Sequence, residues 1–175
     1  MASTAPVAVV IMAAGKGTRM RSAVPKVLHT IGGRSLLDHA VAAARGLRPD
    51  HLVVVVRHER DAVVAHLSEV APDAVAADQD ETPGTGRAVA CGLASLPEDL
   101  AGPVVVTSGD VPLLDTATLR ALLAQHVERG DAVTLLTTVL DDPTGYGRVV
   151  READGTVSAI VEQRDASPEQ RAITE

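Results

Sequence analysis

The sequence has no phenylalanine, no tryptophan and a single tyrosine, Tyr146. Single-stranded nucleic-acid binding depends on aromatic platforms for base stacking, so this shortage counts against it. Basic residues are also in the minority, with 16 Lys and Arg against 23 Asp and Glu and a net charge of −7. With a pI of about 5.3, that balance argues against a duplex partner. Cys91 is the only cysteine, which excludes an intramolecular disulfide and any CxxC redox or zinc site. It reads as a small core residue. The six histidines (29, 39, 51, 58, 66, 126) lack metal-ligand spacing such as H-x-x-x-H. No apolar run approaches the ~20 residues of a membrane span, and the N-terminal MASTAPVAVVIMAAG lacks the basic region of a signal peptide. The expectation is a cytoplasmic protein with neither nucleic-acid nor membrane partners. What is abundant is aliphatic, 46% hydrophobic over 175 residues, so residues 1–175 read as one domain with an aliphatic core.

The most informative stretch is 7–26, VAVVIMAAGKGTRMRSAVPK. Val7 to Met12 is a β-branched run of strand length that stops at Ala13, Ala14 and Gly15. Gly15 and Gly17 allow φ > 0 and carry no Cβ, so the loop's backbone N–H groups can converge on an anion. Charge is segregated in the same sense. Residues 1–37 hold Lys16, Arg19, Arg21, Lys26 and Arg34 and no acid, leaving 11 basic against 23 acidic residues elsewhere. Over a Debye length of about 8 Å this local sign decides what a site attracts. Arginine outnumbers lysine 14 to 2, and both lysines lie in this loop, which suits compact ammonium charges on phosphate. A dinucleotide-binding G-x-G-x-x-G fails at Met20, and a P-loop G-x-x-x-x-G-K-[ST] is absent.

Along the chain, Val27–Thr30 reads as a short extended piece, Gly32-Gly33 as a turn, and Ser35 as the cap of a helix carrying Leu36, Leu37, Ala40, Val41, Ala44 and Leu47. His51–Val56 is a buried strand, Glu59–Val70 a helix, Asp73–Ala77 a third strand, Gly84-Thr85-Gly86 a glycine turn, and Arg87–Leu96 a helix. Val104–Thr107 is a strand ending in Ser108-Gly109-Asp110. Asp115 or Thr116 caps a helix through Arg129, with Gly130 at its end. Ala132–Leu140 reads as another strand, and the turn signals that follow it, at Pro143, Gly145, Gly147 and Asp154-Gly155, mark a hairpin region. The fold class is therefore α/β: a Rossmann-like, doubly wound, mostly parallel sheet with an antiparallel hairpin near the C-terminus. Ligands of such sheets lie beyond the strand C-termini. That places the Gly15 loop, the Gly84 loop and Asp110 on one rim.

The pattern M-A-A-G-K-G-T-R-M with Pro25-Lys26 resembles the L-x-x-G-x-G-T-R-[ML]…P-K pattern of sugar-1-phosphate nucleotidylyltransferases. Met12 stands at the usual leucine. SGDVPLL is similar to that family's G-D-x-P-L segment, and Gln79 with Gly84-Thr85-Gly86 to Q-x(4)-G-T-G. With LDDPTGYGRVVR and IVEQRDAS, nearly the whole chain resembles the N-terminal uridyltransferase domain of the bifunctional N-acetylglucosamine-1-phosphate uridyltransferase and glucosamine-1-phosphate acetyltransferase family. The resemblance implies that Arg19 and Lys26 are catalytic cations and that Ala13, Ala14, Gly15, Lys16, Gly17, Lys26, Gln79, Gly84 and Thr85 bind UTP. It further implies that Gly147 and Glu162 contact N-acetylglucosamine 1-phosphate and that Asp110 holds Mg²⁺. Taken without it, Gly147 serves the hairpin and Glu162 is a solvated strand-end charge, whereas Asp110, a strand-end carboxylate opposite the phosphate loop, is already the best metal candidate, with a loop cap as its alternative.

The implied activity is Mg²⁺-dependent transfer of uridylate to N-acetylglucosamine 1-phosphate, supplying a cell-wall precursor. Glu175 precedes the family's N-x-G sugar segment, its later Mg²⁺-sharing asparagine and its β-helical acetyltransferase domain. An incomplete domain follows as an expectation, one that binds uridine nucleotides weakly, turns over little and associates with itself through exposed apolar surface. Two alternatives stand beside it: guanylyl or cytidylyl transfer to another phosphorylated acceptor, and nucleotide binding without turnover.

Overall fold

Strand β1 (Ala8–Met12) is buried on both faces, as its unbroken apolar run requires. The computed structural model describes residues 5–17 and 20–175, which fall into two compact units, Met1–Ala132 and Val133–Glu175. In the first unit Lys26–Leu28 forms a 3₁₀ turn where an extended piece was expected. Pro25 fixes the entry to it, and Leu28 N–H bonds Pro25 O at 2.9 Å. A small hairpin follows, β2 (Thr30–Ile31) and β3 (Arg34–Ser35) around Gly32-Gly33. Helix α1 (Leu36–Arg45) then starts with a capping box: Ser35 Oγ accepts from Asp38 N–H and Asp38 Oδ2 accepts from Ser35 N–H, each at 3.0 Å.

Next come β4 (His51–Val56), α2 (Arg60–Val70) and β5 (Val75–Asp78), the last strand set slightly later than Asp73–Ala77. Helix α3 spans Thr85–Leu93, so of the expected glycine turn only Gly84 lies outside the helix. At φ +121° Gly84 takes the non-helical bend alone, which leaves Thr85 and Gly86 free to begin the helix. Strand β6 (Val104–Ser108) leads to α4 (Thr116–Arg129), capped by Asp115, whose Oδ1 accepts from Thr118 N–H at 2.8 Å, and ended by left-handed Gly130.

The central sheet is wholly parallel, ordered β5-β4-β1-β6. Alternate residues serve opposite faces. Val9, Ile11, Val54, Val56 and Val105 pack against α1, α2 and α4 through residues such as Leu37, Val41, Val63, Leu67, Leu119 and Leu123. Val10, Val53 and Val55 meet Ala88 of α3 on the other face. There Gly92 lets α3 sit close, since a Cβ on it would lie 2.7 Å from Val10 Cγ1 and 2.9 Å from Val55 Cγ2. The doubly wound expectation holds. The chain crosses from one side of β1 to the other after β5, which puts the switch point between β1 and β6.

In the second unit, residues 132–140, which straddle the boundary and were expected as a strand, form none. Val133, Leu135, Leu136 and Val139 are exposed. Apolar β-branched residues make a strand only where a neighbouring ladder takes up their backbone. Here Leu140 N–H bonds Thr174 O at 3.0 Å, without a ladder around it. The expected hairpin is present as antiparallel β7 (Arg148–Arg151) and β8 (Val157–Val161), followed by a short α5 (Pro168–Arg171). Arg148 is 1% exposed. Its guanidinium donates to Tyr146 O, to Gln163 Oε1 at 2.7 Å and to Arg171 O at 3.4 Å, tying hairpin and α5 together.

Candidate active site

Beyond the C-terminal ends of β1, β5 and β6 the first unit opens into a cleft of about 620 Å³. Its walls carry the expected Ala13, Ala14, Gly15, Lys16, Gly17, Lys26, Gln79, Gly84, Thr85 and Asp110, joined by Met12, Met20, Arg57, His58 and Ser108. The common rim expected from sequence is thus present. Arg19 lies outside the described residues. Gly147 and Glu162 belong to the second unit. There the pairing of Arg148 with Val161 sets them beside each other at one end of the β7–β8 hairpin.

The floor of the cleft is sheet. Ala13 N–H continues the ladder to Val55 O at 2.8 Å, Gly109 N–H bonds Met12 O at 2.9 Å, and Gln79 N–H bonds Val56 O at 2.9 Å. Ala13 and Ala14 bury their methyls, so only their backbone faces a ligand, and the Ala13 N–H is already committed. From Ala14 to Gly17 the backbone N–H groups make no hydrogen bond among the described residues, which leaves them for an anion. Of the two loop glycines only Gly17 takes positive φ, at +63°. Gly15 instead leaves its side of the cleft open, with no atom within 4 Å of where a Cβ would stand.

Lys26 and Asp110, 84 positions apart, meet as an ion pair whose side chains are 35% and 26% exposed. Lys26 pairs with Asp110 Oδ2, while Ser108 Oγ–H donates to Oδ1 at 2.6 Å. Burial opposes ionisation of Asp110, but the bonds from Lys26 and Ser108 outweigh it and hold the carboxyl below its ordinary range. This hard-oxygen donor suits Mg²⁺, which binds proteins through one or two carboxylates and completes its shell with water and substrate phosphate. No group of three or more His, Cys, Asp or Glu that could hold a metal occurs among the described residues. An ion here would therefore depend on the substrate for most of its ligands.

The loop that carries Gln79 is braced from three sides. Gln79 Nε2 donates to Thr82 O at 2.9 Å and to Gly84 O at 3.3 Å. Asp80 Oδ1 accepts from Thr82 N–H at 3.0 Å while Oδ2 pairs with Arg87. Arg57 donates to Glu81 O at 3.0 Å. With Nε2 consumed internally, Gln79 offers the cleft its Oε1, an acceptor.

A family model described as the MobA-like NTP transferase domain matches residues 9–166. The chain belongs to this family. The fold of this chain is shared with a UDP-glucose pyrophosphorylase solved in complex with UDP-glucose, with a TM-score of 0.68, 16% identity, and coverage of 95% of this chain and 72% of that one. Among curated proteins this chain is 58% identical over 170 residues to the bifunctional protein GlmU of Kineococcus radiotolerans, and 59% identical over 169 residues to that of Micrococcus luteus. Those matches cover 97% and 94% of this chain and 34% of each relative. The chain thus spans about a third of the length of these relatives.

Sequence reasoning passed over Arg57, Asp80, Arg87 and Ser108. The spacing of Asp80 and Thr82 is that of an Asx turn and was available to find the first brace. Arg57 gave no signal, because its acceptor Glu81 O lies 24 positions away. Ser108 stands two residues before Asp110, a local side-chain bond that the motif reading did not use.

Proposed function

We propose that this chain is a nucleotidyltransferase domain of a cytoplasmic enzyme that transfers uridylate from UTP to N-acetylglucosamine 1-phosphate, releasing pyrophosphate. The observation that carries the reading is the convergence, in one cleft, of loop N–H groups without a partner among the described residues, two lysines, a lone carboxylate and the Gln79 amide, whose Nε2 is taken up within its own loop. Identity of 58% to a GlmU protein supports the choice of substrates.

No side-chain nucleophile or general base is needed. A phosphate monoester has its second pKa near ~6, so the acceptor is already largely dianionic at pH 7. Its oxygen forms a bond to the α-phosphorus of UTP as the bond to the bridging oxygen of pyrophosphate breaks, and the electron pair leaves with pyrophosphate. The enzyme's contribution is to hold two polyanions in line and to offset the charge on the leaving group. In this reading the N–H groups of Ala14 to Gly17, with Lys16 and Lys26, hold the triphosphate, and Arg19 is a further catalytic cation. Gly84 and Thr85, at the start of α3, add backbone donors. Gln79 Oε1 accepts from N3–H of uracil, where cytosine presents a lone pair. Asp110 would hold Mg²⁺, which supplies neutralisation of phosphate charge. Gly147 and Glu162 contact the amino sugar.

Nucleotide binding without turnover is the second reading, favoured by the single acidic group lining the cleft. Pyrophosphate release by the purified chain, with UTP, CTP or GTP and N-acetylglucosamine 1-phosphate at saturating Mg²⁺, separates the two. Release that requires UTP, however slow, supports the transfer reading. Binding of UTP without release would establish the second reading. Equal use of CTP would overturn the role given to Gln79.

A further inference from the structure

We propose that Ser108 is the positioning residue of the cleft carboxylate, fixing Asp110 so that one oxygen, Oδ2, is turned toward a divalent cation. This inference rests on the Mg²⁺ reading above. The two oxygens of Asp110 have different partners. Oδ1 accepts the Ser108 hydroxyl proton at 2.6 Å, from the strand end two residues before it. Oδ2 pairs with Lys26, which comes from another part of the chain at the end of a long flexible stem. A hydroxyl has one proton to give. Since it is given to Oδ1, that oxygen is held and Oδ2 is the exchangeable one.

Ser108 is anchored for this task. It is the last residue of β6, in register with Met12 of β1. The next residue, Gly109, bonds Met12 O at 2.9 Å. A Cβ on Gly109 would lie 3.3 Å from Val27 Cγ1, so the backbone beneath the carboxylate has little room to move. The torsions of the Asp110 side chain are then what remains free, and the hydroxyl removes that freedom. The turn itself is closed by backbone bonds, Gly109 N–H to Met12 O and Leu114 N–H to Val111 O. The Ser108 hydroxyl therefore serves the carboxylate and is not required for the chain path.

The test is a Mn²⁺ titration of the full 175-residue chain with and without UTP, read by water-proton relaxation against UTP alone, with thermal unfolding beside it. Groups that orient a metal ligand typically contribute 10- to 100-fold to affinity. Ser108→Ala is expected to weaken Mn²⁺ binding about tenfold or more with little change in thermal midpoint, and Ser108→Thr, which keeps the hydroxyl, to bind within about twofold of the parent. Asp110→Asn marks complete loss. If Ser108→Ala overlays the parent while Asp110→Asn does not, or if Ser108→Thr is as weak as Ser108→Ala, the positioning role is wrong and the metal reading stands. A parent that takes up no Mn²⁺ with UTP present, or an Asp110→Asn variant that takes up as much as the parent, removes the metal reading and the Ser108 role with it. Should Ser108→Ala fail to fold, Ser108→Cys, similar in size and a weak donor, carries the same expectation and the same refutation.

Discussion

Replacing Lys26 by alanine should change the affinities for metal and nucleotide in opposite directions. In the free protein the Lys26 ammonium pairs with Asp110 Oδ2, so a cation reaching that oxygen competes with a charge already there. Two unit charges 4 Å apart attract by about 4 kcal/mol at an effective dielectric of 20. The two side chains are 35% and 26% exposed, and solvent screening with side-chain entropy reduces the net interaction to about 1 kcal/mol. Removing the competitor should thus tighten Mn²⁺ binding about fivefold. For UTP the same substitution deletes a hydrogen bond from a charged donor, worth about 1.5–3 kcal/mol, so binding should weaken about 10- to 100-fold. Arg45→Ala is the control. Arg45 pairs with Asp73 and donates to Val70 O at 3.2 Å, outside the cleft, and neither affinity should move. Calorimetric titration of each variant with Mn²⁺ alone and with UTP alone measures both effects. If Lys26→Ala weakens both ligands or leaves both unchanged, the ion pair does not compete with the metal.

Asp38 completes the α1 capping box and accepts a bond from His66 Nε2 at 2.6 Å. Burial raises its pKa, but the bonds from His66 and Ser35 outweigh burial and leave it below the ordinary value. A depressed folded pKa contributes stability above the unfolded value of about 3.9, lost as pH falls through the folded one. Asp38→Asn should therefore cost about 1–2 kcal/mol at pH 7 in urea unfolding, and its gap to the parent should narrow below about pH 4. A gap constant with pH would show that the carboxylate charge is not what matters. At Gly17 a Cβ would lie 2.6 Å from Lys26 Cβ, on a backbone at φ +63°. Gly17→Ala should weaken UTP binding tenfold or more while lowering stability by about 1–2 kcal/mol, the cost of a left-handed non-glycine. Unchanged affinity would show that the loop does not hold phosphate.

Where the fold was legible, the signal was local. Val7–Met12 and His51–Val56 are apolar runs bounded by small or polar residues, and each became a strand buried between layers. Ser35, standing before apolar residues at helical spacing, announced the start of α1, while its capping-box partner Asp38 went unread. Ala132–Leu140 is also rich in β-branched and aliphatic residues but has no ladder, because strand formation is decided by a partner elsewhere in the chain. The Gly84-Thr85-Gly86 turn was misplaced because one glycine sufficed for the bend. In the cleft, residue types and their common rim could be read from strand ends. The pairing of Lys26 with Asp110 could not, since 84 positions separate them and only the β1–β6 switch point brings them together.

The cleft changes character within a single peptide unit. Ala13 N–H belongs to the sheet, bonded to Val55 O at 2.8 Å, while the N–H groups from Ala14 to Gly17 have no partner among the described residues. In deuterated solvent the free protein should therefore exchange its amides at rates differing by orders of magnitude on either side of the Ala13–Ala14 link, slow with the core and fast in the loop. A bound polyanion then orders only the loop, because the platform beneath is already set, and the conformational entropy lost on binding is that of a few peptide units.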